Sequence, residues 1–431
     1  FLEKGLRETG RWCVPLVRRL DAQLTEDDVR SVLTAVTDRH EALRLRIAER
    51  AGTWEQDIAE PGGFTALTTR SLPADVAAIV TEMTTAEPTF TTPLAATYLP
   101  GAQGDPGHLV LTVHHLAGDN ASREILVTDL FTAFAQRSAG QDIALPPVGT
   151  SWREWSQRCA ALATHPAVLD TREYWLETAA AATLRVADHD VTEPPRAADL
   201  CRLPATLSAE ATAGLDEAQR TLRLPADEIL LAALGRTIAH TRGDGVAAVD
   251  LAGHGRLVLK PDVDLHRTVG WFTTIYPVAL RCNTSEPQAL LTGVHDALAA
   301  VPHHGIGYGL LRYVYAPTAR RLAATPAAEV FFSYLGTVPS LPELDGPVQF
   351  DMDAAAPARD TLPAFGHAVE LRVYRDSGVL HLDWWYDARR MDRATVEALA
   401  QHFPAALAEL TTSDAAPVDD DLDNFALVDL S

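Results

Sequence analysis

A short apolar segment that ends in two histidines and an aspartate is the feature that most constrains this chain. Residues 108–114 alternate in a strand pattern, and the turn His114-His115-Leu116-Ala117-Gly118-Asp119 follows directly. Beyond the turn, apolar positions recur at helical spacing over Ser122–Arg137. A strand, a tight turn and a helix in this order are typical of an α/β protein, and they place the polar side chains of the turn at one end of a sheet.

The same alternation of strands and helices runs through both halves of the chain. In the second half it predicts four helices, one strand and one hairpin: Ala209–Leu222, Ala226–His240, Pro287–Ala300 and Thr395–Leu410, then Val246–Leu251, and a turn at Asp376-Ser377-Gly378. Residues 178–205 change from alanine-rich to acidic and proline-containing, which predicts a linker. We therefore expect an α/β protein with an N-terminal lobe over 1–177 and a C-terminal lobe over 206–431.

Composition argues against several classes of partner. The 431 residues are 47% hydrophobic and 22% charged, which describes an ordinary globular protein. A formal net charge of −22 argues against nucleic acid or an anionic membrane surface as the main partner. No apolar run approaches the roughly 18–20 residues that cross a bilayer. Four scattered cysteines predict reduced thiols in a cytoplasmic protein, and the start at Phe1 predicts a piece of a longer polypeptide.

Arginines stand out against the acidic background in two groups. They are Arg7, Arg11, Arg18 and Arg19, and then Arg312, Arg320 and Arg321. We expect solvated surface residues, with docking of an acidic partner as the alternative. The best guesses for such docking are the region of Arg312, Arg320 and Arg321 and the first twenty residues.

The two adjacent histidines have a chemical and a structural interpretation. On a strand their side chains point to opposite faces, so both cannot bind one metal ion, and we expect no metal site. The useful arrangement has one structural histidine and one that faces a cleft, where neutral imidazole moves protons near pH 7. Asp119 would pair with a buried cation and fix the turn. A satisfied pair of core histidines is the alternative that the pattern alone leaves open.

A second block, Gly253-His254-Gly255-Arg256, lies far downstream. Its glycines predict a tight turn or a close contact between lobes. His303 and His304 precede another glycine-rich block and are expected to be loop residues. No nucleotide or flavin motif is present, so we expect no bound cofactor.

Together these blocks resemble the condensation-domain superfamily of nonribosomal peptide synthetases, and its epimerization branch in particular. HHLAGDNAS is similar to the HHxxxDG signature of that superfamily. Further blocks match in the same order: Arg39–Arg44, Thr150–Trp155 with Tyr174-Trp175, Asp227–Gly235, Arg267–Thr273 with Tyr276-Pro277, Gly305–Gly309, and Phe332–Gly336, in which serine replaces asparagine.

The resemblance implies a fold and a reaction. The fold would be two chloramphenicol-acetyltransferase-like lobes in a V-shaped pseudo-dimer, with a central tunnel that holds His114, His115 and Asp119. The blocks that contain Tyr308 and Tyr334 would belong to the tunnel, as would residues 253–256. Carrier domains would present substrates on a phosphopantetheine arm. Epimerization domains use the second histidine and a glutamate of an EGHGRE block to move the α-proton of a thioester-bound residue.

The sequence departs from that pattern where the chemistry would occur. EGHGRE reads AGHGRL, so Ala252 and Leu257 replace both glutamates. Asn120 stands where glycine is expected, and Arg123 where tryptophan is expected. Because asparagine tolerates left-handed backbone, we expect it to keep the turn. Asp250 lies on the same strand face as Ala252 and is a candidate substitute carboxylate.

Three functions remain open. The preferred one is a catalytically degenerate domain similar to the X-domain of glycopeptide-antibiotic synthetases, which recruits haem-thiolate oxygenases to a carrier-bound peptide. Its partners would be a peptidyl carrier domain and neighbouring thioesterase or condensation domains. X-domains carry arginine at the second histidine, whereas His115 is kept here. The alternatives are an active epimerase with His115 as its one identifiable base, and acyl transfer by condensation chemistry.

Overall fold

The computed structural model describes residues 13–50, 53–71, 75–85, 92–101, 104–256, 262–337, 346–350, 364–412 and 417. The strands are β1 Cys13–Leu20, β2 Leu45–Arg50, β3 Thr53–Ile58, β4 Leu67–Thr69, β5 Leu94–Leu99, β6 Gly107–His114, β7 Leu200–Thr206, β8 Gly245–Gly253, β9 Thr274–Cys282, β10 Val330–Thr337, β11 Val348–Phe350, β12 Val369–Asp376 and β13 Val379–Asp387. The helices are α1 Glu26–Arg39, α2 Val76–Thr85, α3 Asn120–Ser138, α4 Trp152–Leu162, α5 Pro166–Leu169, α6 Arg172–Ala180, α7 Ala209–Leu222, α8 Ala226–Arg242, α9 Pro287–Ala299, α10 Ile306–Gly309, α11 Ala316–Ala323 and α12 Arg393–Thr411.

The N-terminal lobe is built on a five-stranded sheet in the order β11-β1-β6-β5-β4. Helices α1 and α3 pack against each other and bury the apolar side chains of one sheet face. Helix α1 begins at Glu26, because Thr25 and Asp28 form a capping box that satisfies backbone N–H groups at the helix start. The central pair β1 and β6 is antiparallel, with Cys13 opposite His114. This pairing fixes the end of β6, and therefore the position of the histidine turn.

The C-terminal lobe is built on a six-stranded sheet in the order β7-β13-β12-β10-β8-β9. Strands β8, β10 and β12 run parallel, and the other neighbours are antiparallel. Helices α7, α8, α9 and α12 cover one face, whose buried side chains form the larger core. The predicted hairpin joins β12 to β13, with Ser377 and Gly378 at positive φ in the turn. A mixed α/β fold with two lobes confirms the fold expectation; the central tunnel stays a prediction.

The two lobes exchange segments, and this changes the boundaries expected from the sequence. Residues 200–205, placed in the linker, belong to β7, which pairs with β13 at the edge of the C-terminal sheet. Strand β11 pairs with β1 in the other lobe. Side chains of Val263, Leu265 and Phe272 complete the N-terminal core. The composition change at 178–205 gives no sign of these long-range exchanges.

Candidate functional site

The histidine turn separates the roles of its two imidazoles. His114 is buried at the end of β6, and its Nδ1 accepts a hydrogen bond from the backbone N–H of Leu116, 3.1 Å away. His115 begins a short 3₁₀ turn and keeps partial access to solvent. His114 is therefore structural, whereas His115, which lies in the turn beyond the end of β6, is the partly accessible one. Within the described ranges, no group of three or more His, Cys, Asp or Glu side chains is arranged to hold a metal ion.

Asp119 organises the turn and begins the helix that follows it. It is the N-cap of α3, and its Oδ1 accepts hydrogen bonds from the N–H of Ser122 at 2.8 Å and from the hydroxyl of Ser122 at 2.7 Å. Its Oδ2 accepts from the backbone N–H of Phe272, 3.2 Å away. A carboxylate at a helix N-terminus is favoured by the orphan N–H groups and the helix dipole. Asp119 thus connects the histidine turn to the segment of the C-terminal half that contains Phe272.

The buried cation expected beside Asp119 is Arg256. Its Nη2 lies 2.9 Å from Asp119 Oδ1, and its Nη1 donates to the carbonyls of Leu265 and Thr268, both at 2.8 Å. The guanidinium also lies 4.1 Å from the centre of the Phe272 ring. Because the guanidinium is bound from several directions, it connects the C-terminal block to the histidine turn in a fixed geometry.

The glycines of the second block are required by close packing. Gly255 has φ of +63°, and a Cβ there would lie 1.6 Å from the carbonyl oxygen of Phe272. A residue with a side chain would be strained by both its backbone and this contact. His254 is exposed, and its Nδ1 accepts from the N–H of Arg256 at 3.1 Å. Partial desolvation, His304 and Arg256 lower the pKa of His254. Leu257 lies outside the described residues.

The His115 imidazole is neutral at neutral pH. Burial among protein atoms lowers its pKa to about 4, and the neighbouring His114 and Arg372 lower it further than Asp119 raises it. The ring makes an edge contact with Trp271, with 5.3 Å between ring centres. A neutral imidazole with solvent access can accept a proton, although a low pKa makes it a weak base.

The candidate substitute carboxylate, Asp250, is engaged in a buried polar cluster that the sequence analysis missed. Asp250 Oδ2 lies 2.9 Å from Nε2 of His367, whose Nδ1 lies 3.3 Å from Oε1 of Glu370. Glu370 Oε2 accepts from Arg372 Nη2 at 2.8 Å. We call these four residues the Asp250–Arg372 cluster. The sequence does contain a sign of this cluster, because two charged residues occupy alternate positions in the apolar run 368–373.

Electrostatics keep the buried Glu370 carboxylate ionised. Burial by itself raises the pKa of Glu370, but the charge of Arg372 and the hydrogen bond to His367 outweigh it and hold the pKa at about 2. Asp250 is on the same face of β8 as Ala252, as predicted, yet its carboxylate bonds to His367. At position 252 itself the side chain is a methyl group, which cannot transfer a proton.

The two tyrosines expected in the tunnel pack against the helix-covered core of the C-terminal lobe. Tyr308 packs on Trp175, with 5.3 Å between ring centres, beside the helix-covered core. Tyr334 faces the same core because it alternates with Ser333 along β10. Burial, Asp216 and Asp227 raise its pKa, while Arg375 opposes them. The structure therefore brings neither residue to His115.

Two departures from the family pattern lie at the start of α3. Asn120 is the first residue of α3, and it is absent from the residues with positive φ in the described ranges, so its tolerance of left-handed backbone is not used. Arg123 is exposed on α3, and its charge acts with burial to lower the pKa of Arg18 to about 9. Arg18 is buried in β1, contrary to the surface position expected, whereas Arg19 is exposed. Arg7 and Arg11 lie outside the described residues.

The second arginine group lies on and before α11. Arg320 and Arg321 are exposed, and Arg321 pairs with the exposed Glu173 at 3.3 Å. Arg312 lies in the preceding π-helical turn, 5.1 Å from the ring centre of Tyr313. His303, a loop residue as expected, has positive φ and lies 3.2 Å from the carbonyl of Ala167, as measured from its Nε2.

A family model described as "Condensation domain" matches residues 1–422. The chain belongs to the condensation-domain family. One subunit of the phenolphthiocerol/phthiocerol polyketide synthase of Mycobacterium tuberculosis is 52% identical over 456 aligned residues, which cover 100% of this chain and 31% of that protein. The chain thus spans about a third of the length of this curated relative. In the described ranges, no helix of this condensation domain is long and apolar enough to cross a membrane.

Solved structures share the fold of this condensation domain at low sequence identity. The epimerization domain from the third module of tyrocidine synthetase B aligns with a TM-score of 0.79 and 21% identity, over 95% of this chain and 94% of that one. The complex of the X-domain and OxyB from teicoplanin biosynthesis contains a chain that aligns with a TM-score of 0.70 and 18% identity, over 96% of each chain. Condensation, epimerization and X-domains share this two-lobed architecture.

Proposed function

We propose that this condensation domain binds a carrier-tethered acyl or peptidyl chain without inverting it, and presents the chain to an enzyme that acts in trans. A neighbouring carrier domain would supply the phosphopantetheine arm that holds the chain. The recruited enzyme would be a haem-thiolate oxygenase, and a thioesterase or a further condensation domain would act on the product. The domain would then serve as a non-catalytic binding domain within a multidomain synthetase.

The observation that carries this proposal is the loss of a proton-handling pair. Inversion at an α-carbon needs one group to remove a proton and another, on the opposite face, to return one. His115 can supply one of these groups. Ala252 cannot supply the other, and the Asp250 carboxylate bonds to His367. A missing acid–base group costs about 10²–10⁴ in rate, so useful epimerization is not expected.

Two of the similar proteins described above support an oxygenase as the partner and an acyl chain as the substrate. The X-domain from teicoplanin biosynthesis is known in complex with OxyB, and a chain of that complex shares the present fold. The 52% identical relative is part of a polyketide synthase, which favours an acyl chain as a substrate beside a peptide. Fold likeness at 18% identity does not extend to an interface, so the oxygenase is the part of the proposal that needs a direct binding test.

Proton exchange tests the absence of epimerization. A carrier domain loaded with an aminoacyl or acyl thioester is mixed with this chain in deuterated water, and α-deuterium incorporation is followed by mass spectrometry. We expect the rate of the thioester alone. Exchange well above that background, with conversion of the L to the D form, would contradict the proposal.

Recruitment is tested separately by gel filtration with oxygenases encoded beside the synthetase, at tens of micromolar. We expect co-elution with one of them in the presence of the loaded carrier. The variants Arg320→Glu and Arg321→Glu reverse charge on the candidate docking surface near α11, and they should weaken co-elution if the oxygenase binds there. Absence of co-elution with every such oxygenase would remove the recruitment part of the proposal.

Acyl transfer is a second candidate because one observation favours it. The turn around Asp119 is fully formed and holds a neutral, accessible His115. Attack of an amine or alcohol on a thioester needs a single base to accept the proton of the nucleophile, so His115 suffices. Release of an ester or amide from the loaded carrier, lost in His115→Ala, would favour this candidate over a non-catalytic binding domain.

A further inference from the structure

Three adjacent parallel strands place a row of side chains at the level of Ala252. Leu251 of β8 pairs with Phe332 of β10, and one residue further along β10 Ser333 pairs with Arg372 of β12. Paired residues on neighbouring strands project to the same face of a sheet. Ser333 and Arg372 therefore follow Ala252 across the sheet, on the face away from the helix-covered core.

Arg372 is held in one orientation. Its Nη2 donates to Glu370, two residues earlier on the same strand, and its guanidinium lies 5.1 Å from the ring centre of Phe365. The Glu370 side chain has an exposure of 0% and also contacts His367. The contact with His367 fixes the position of the Glu370 carboxylate. The Arg372 side chain keeps 12% exposure. The cluster thus fixes the mostly buried guanidinium of Arg372, ion-paired with Glu370, on this face of the sheet.

This cation belongs to the same site as His115. Arg372 contacts Phe365, Phe365 contacts Trp271, and Trp271 contacts the His115 ring, with 6.5 Å between the centres of Phe365 and Trp271. The charge of Arg372 also acts on the imidazole of His115 across the lobes. Epimerization domains of this family have a glutamate opposite the histidine. In its place this domain has the methyl group of Ala252, the hydroxyl of Ser333 and the guanidinium of Arg372.

We propose that Arg372 and Ser333 form an anion-binding subsite beside His115, which selects acyl chains that carry a carboxylate. The wall around the pair is aromatic, and ligand sites commonly combine apolar walls with a few fixed polar groups. A guanidinium matches a carboxylate in shape and charge, and the serine hydroxyl adds a further donor. Replacement of the family glutamate by alanine removes a negative charge that would repel such a group. The proposal rests on the proposed function, because it assumes that a carrier-tethered chain enters this site.

Calorimetric titration with two matched pantetheine thioesters tests the subsite. Succinyl-pantetheine carries a terminal carboxylate, and its primary amide analogue has the same shape without the charge. We expect the acid to bind the wild-type chain about tenfold more tightly than the amide, since a charge-assisted hydrogen bond is worth this much. Arg372→Gln should abolish the preference, and Ser333→Ala should reduce it.

Two further variants keep the test interpretable. Arg372→Gln leaves Glu370 buried beside a neutral partner and can destabilise the fold, so Arg372→Gln with Glu370→Gln removes both charges together. Arg375→Gln is the matched control, because Arg375 lies on the same strand but on the other face, where it pairs with Asp216. The double variant should lose the preference for the acid, and Arg375→Gln should keep it.

The outcomes separate this inference from the function on which it rests. Equal affinity of the acid and the amide for the wild-type chain would overturn the subsite and leave the proposed function standing. A preference for the acid that survives in the double variant would also overturn it, and would assign Arg372 to the stability of Glu370 alone. Failure of both thioesters to bind at millimolar concentration would contradict the proposed function as well.

Discussion

The histidine turn and the sheet face around Ala252 both carry buried ion pairs, yet they keep different parts of the family pattern. In the turn, Asp119 and Arg256 occupy the motif positions that the resemblance indicates, and they join the lobes. On the sheet face the motif glutamate is replaced, and the two carboxylates of the Asp250–Arg372 cluster bond to His367 and Arg372. The geometry that holds the lobes together can therefore persist after the residue opposite the imidazole has changed.

Removal of Arg256 gives the largest effect that we expect on stability. Arg256→Met leaves the Asp119 carboxylate buried without its cation, which costs about 3–5 kcal/mol in the free energy of unfolding. Urea denaturation followed by circular dichroism measures it. Arg320→Met, on the exposed surface of α11, is the control and should change the free energy by less than about 0.5 kcal/mol. Similar small losses for both variants would mean that the turn does not depend on this ion pair.

Restoration of the family glutamate tests the other region. Ala252→Glu should raise α-proton exchange of a loaded carrier about 10²-fold, because it supplies an acid–base group on the sheet face. The deuterium assay described above measures it. Asp250→Asn on the wild-type background should leave the background rate unchanged. A loss of exchange in Asp250→Asn would instead make Asp250 the working substitute carboxylate.

The pKa of His115 predicts a pH dependence of stability. A pKa lowered from 6.5 to about 4 in the folded state means that the unfolded chain binds a proton first as the pH falls. The stability that neutral His115 contributes is present above pH 6.5 and is lost between pH 6.5 and 4. Between about pH 8 and pH 5 the wild-type chain should lose about 2 kcal/mol more unfolding free energy than His115→Gln. Parallel losses in both proteins would show that His115 does not titrate in this way.

The smallest effect is expected at Asn120. Because Asn120 is a helical residue at the start of α3, Asn120→Gly restores the family residue without relieving any strain. We expect a change of at most about 0.5 kcal/mol in unfolding free energy and no change in exchange. Stabilisation of more than about 1 kcal/mol by glycine would mean that this departure had weakened the turn.

Local features of the fold could be predicted from the sequence, and long-range ones could not. The bounds of α7 were predicted to the residue, and so was the β12–β13 turn, which depends on neighbouring residues only. The pairing of Asp250 with His367 joins residues 117 positions apart. Its signal, charged residues within an apolar strand, indicates a buried partner but does not say which one.

The site shows the same division. Asp119 and Arg256 both belong to recognisable motifs, and the sequence predicted a buried cation beside Asp119, but it did not say that Arg256 is that cation. Ser333 and Arg372 are brought to the level of Ala252 by the register of three parallel strands, which the sequence does not show. Tyr334 faces the helix-covered core and Ser333 the opposite side, because a one-residue step along β10 moves a side chain to the other face of the sheet.

The crossing segment that delivers Val263, Leu265 and Phe272 to the N-terminal core has a consequence for protein engineering. Chimeras of assembly-line enzymes are made by joining pieces of different parents, and the composition change at 178–205 looks like a natural cut point. A cut there would separate the first half from side chains that fill its interior. A recombinant that takes its halves from two parents should therefore fold only if residues 262–272 and β11 come from the parent of the first half.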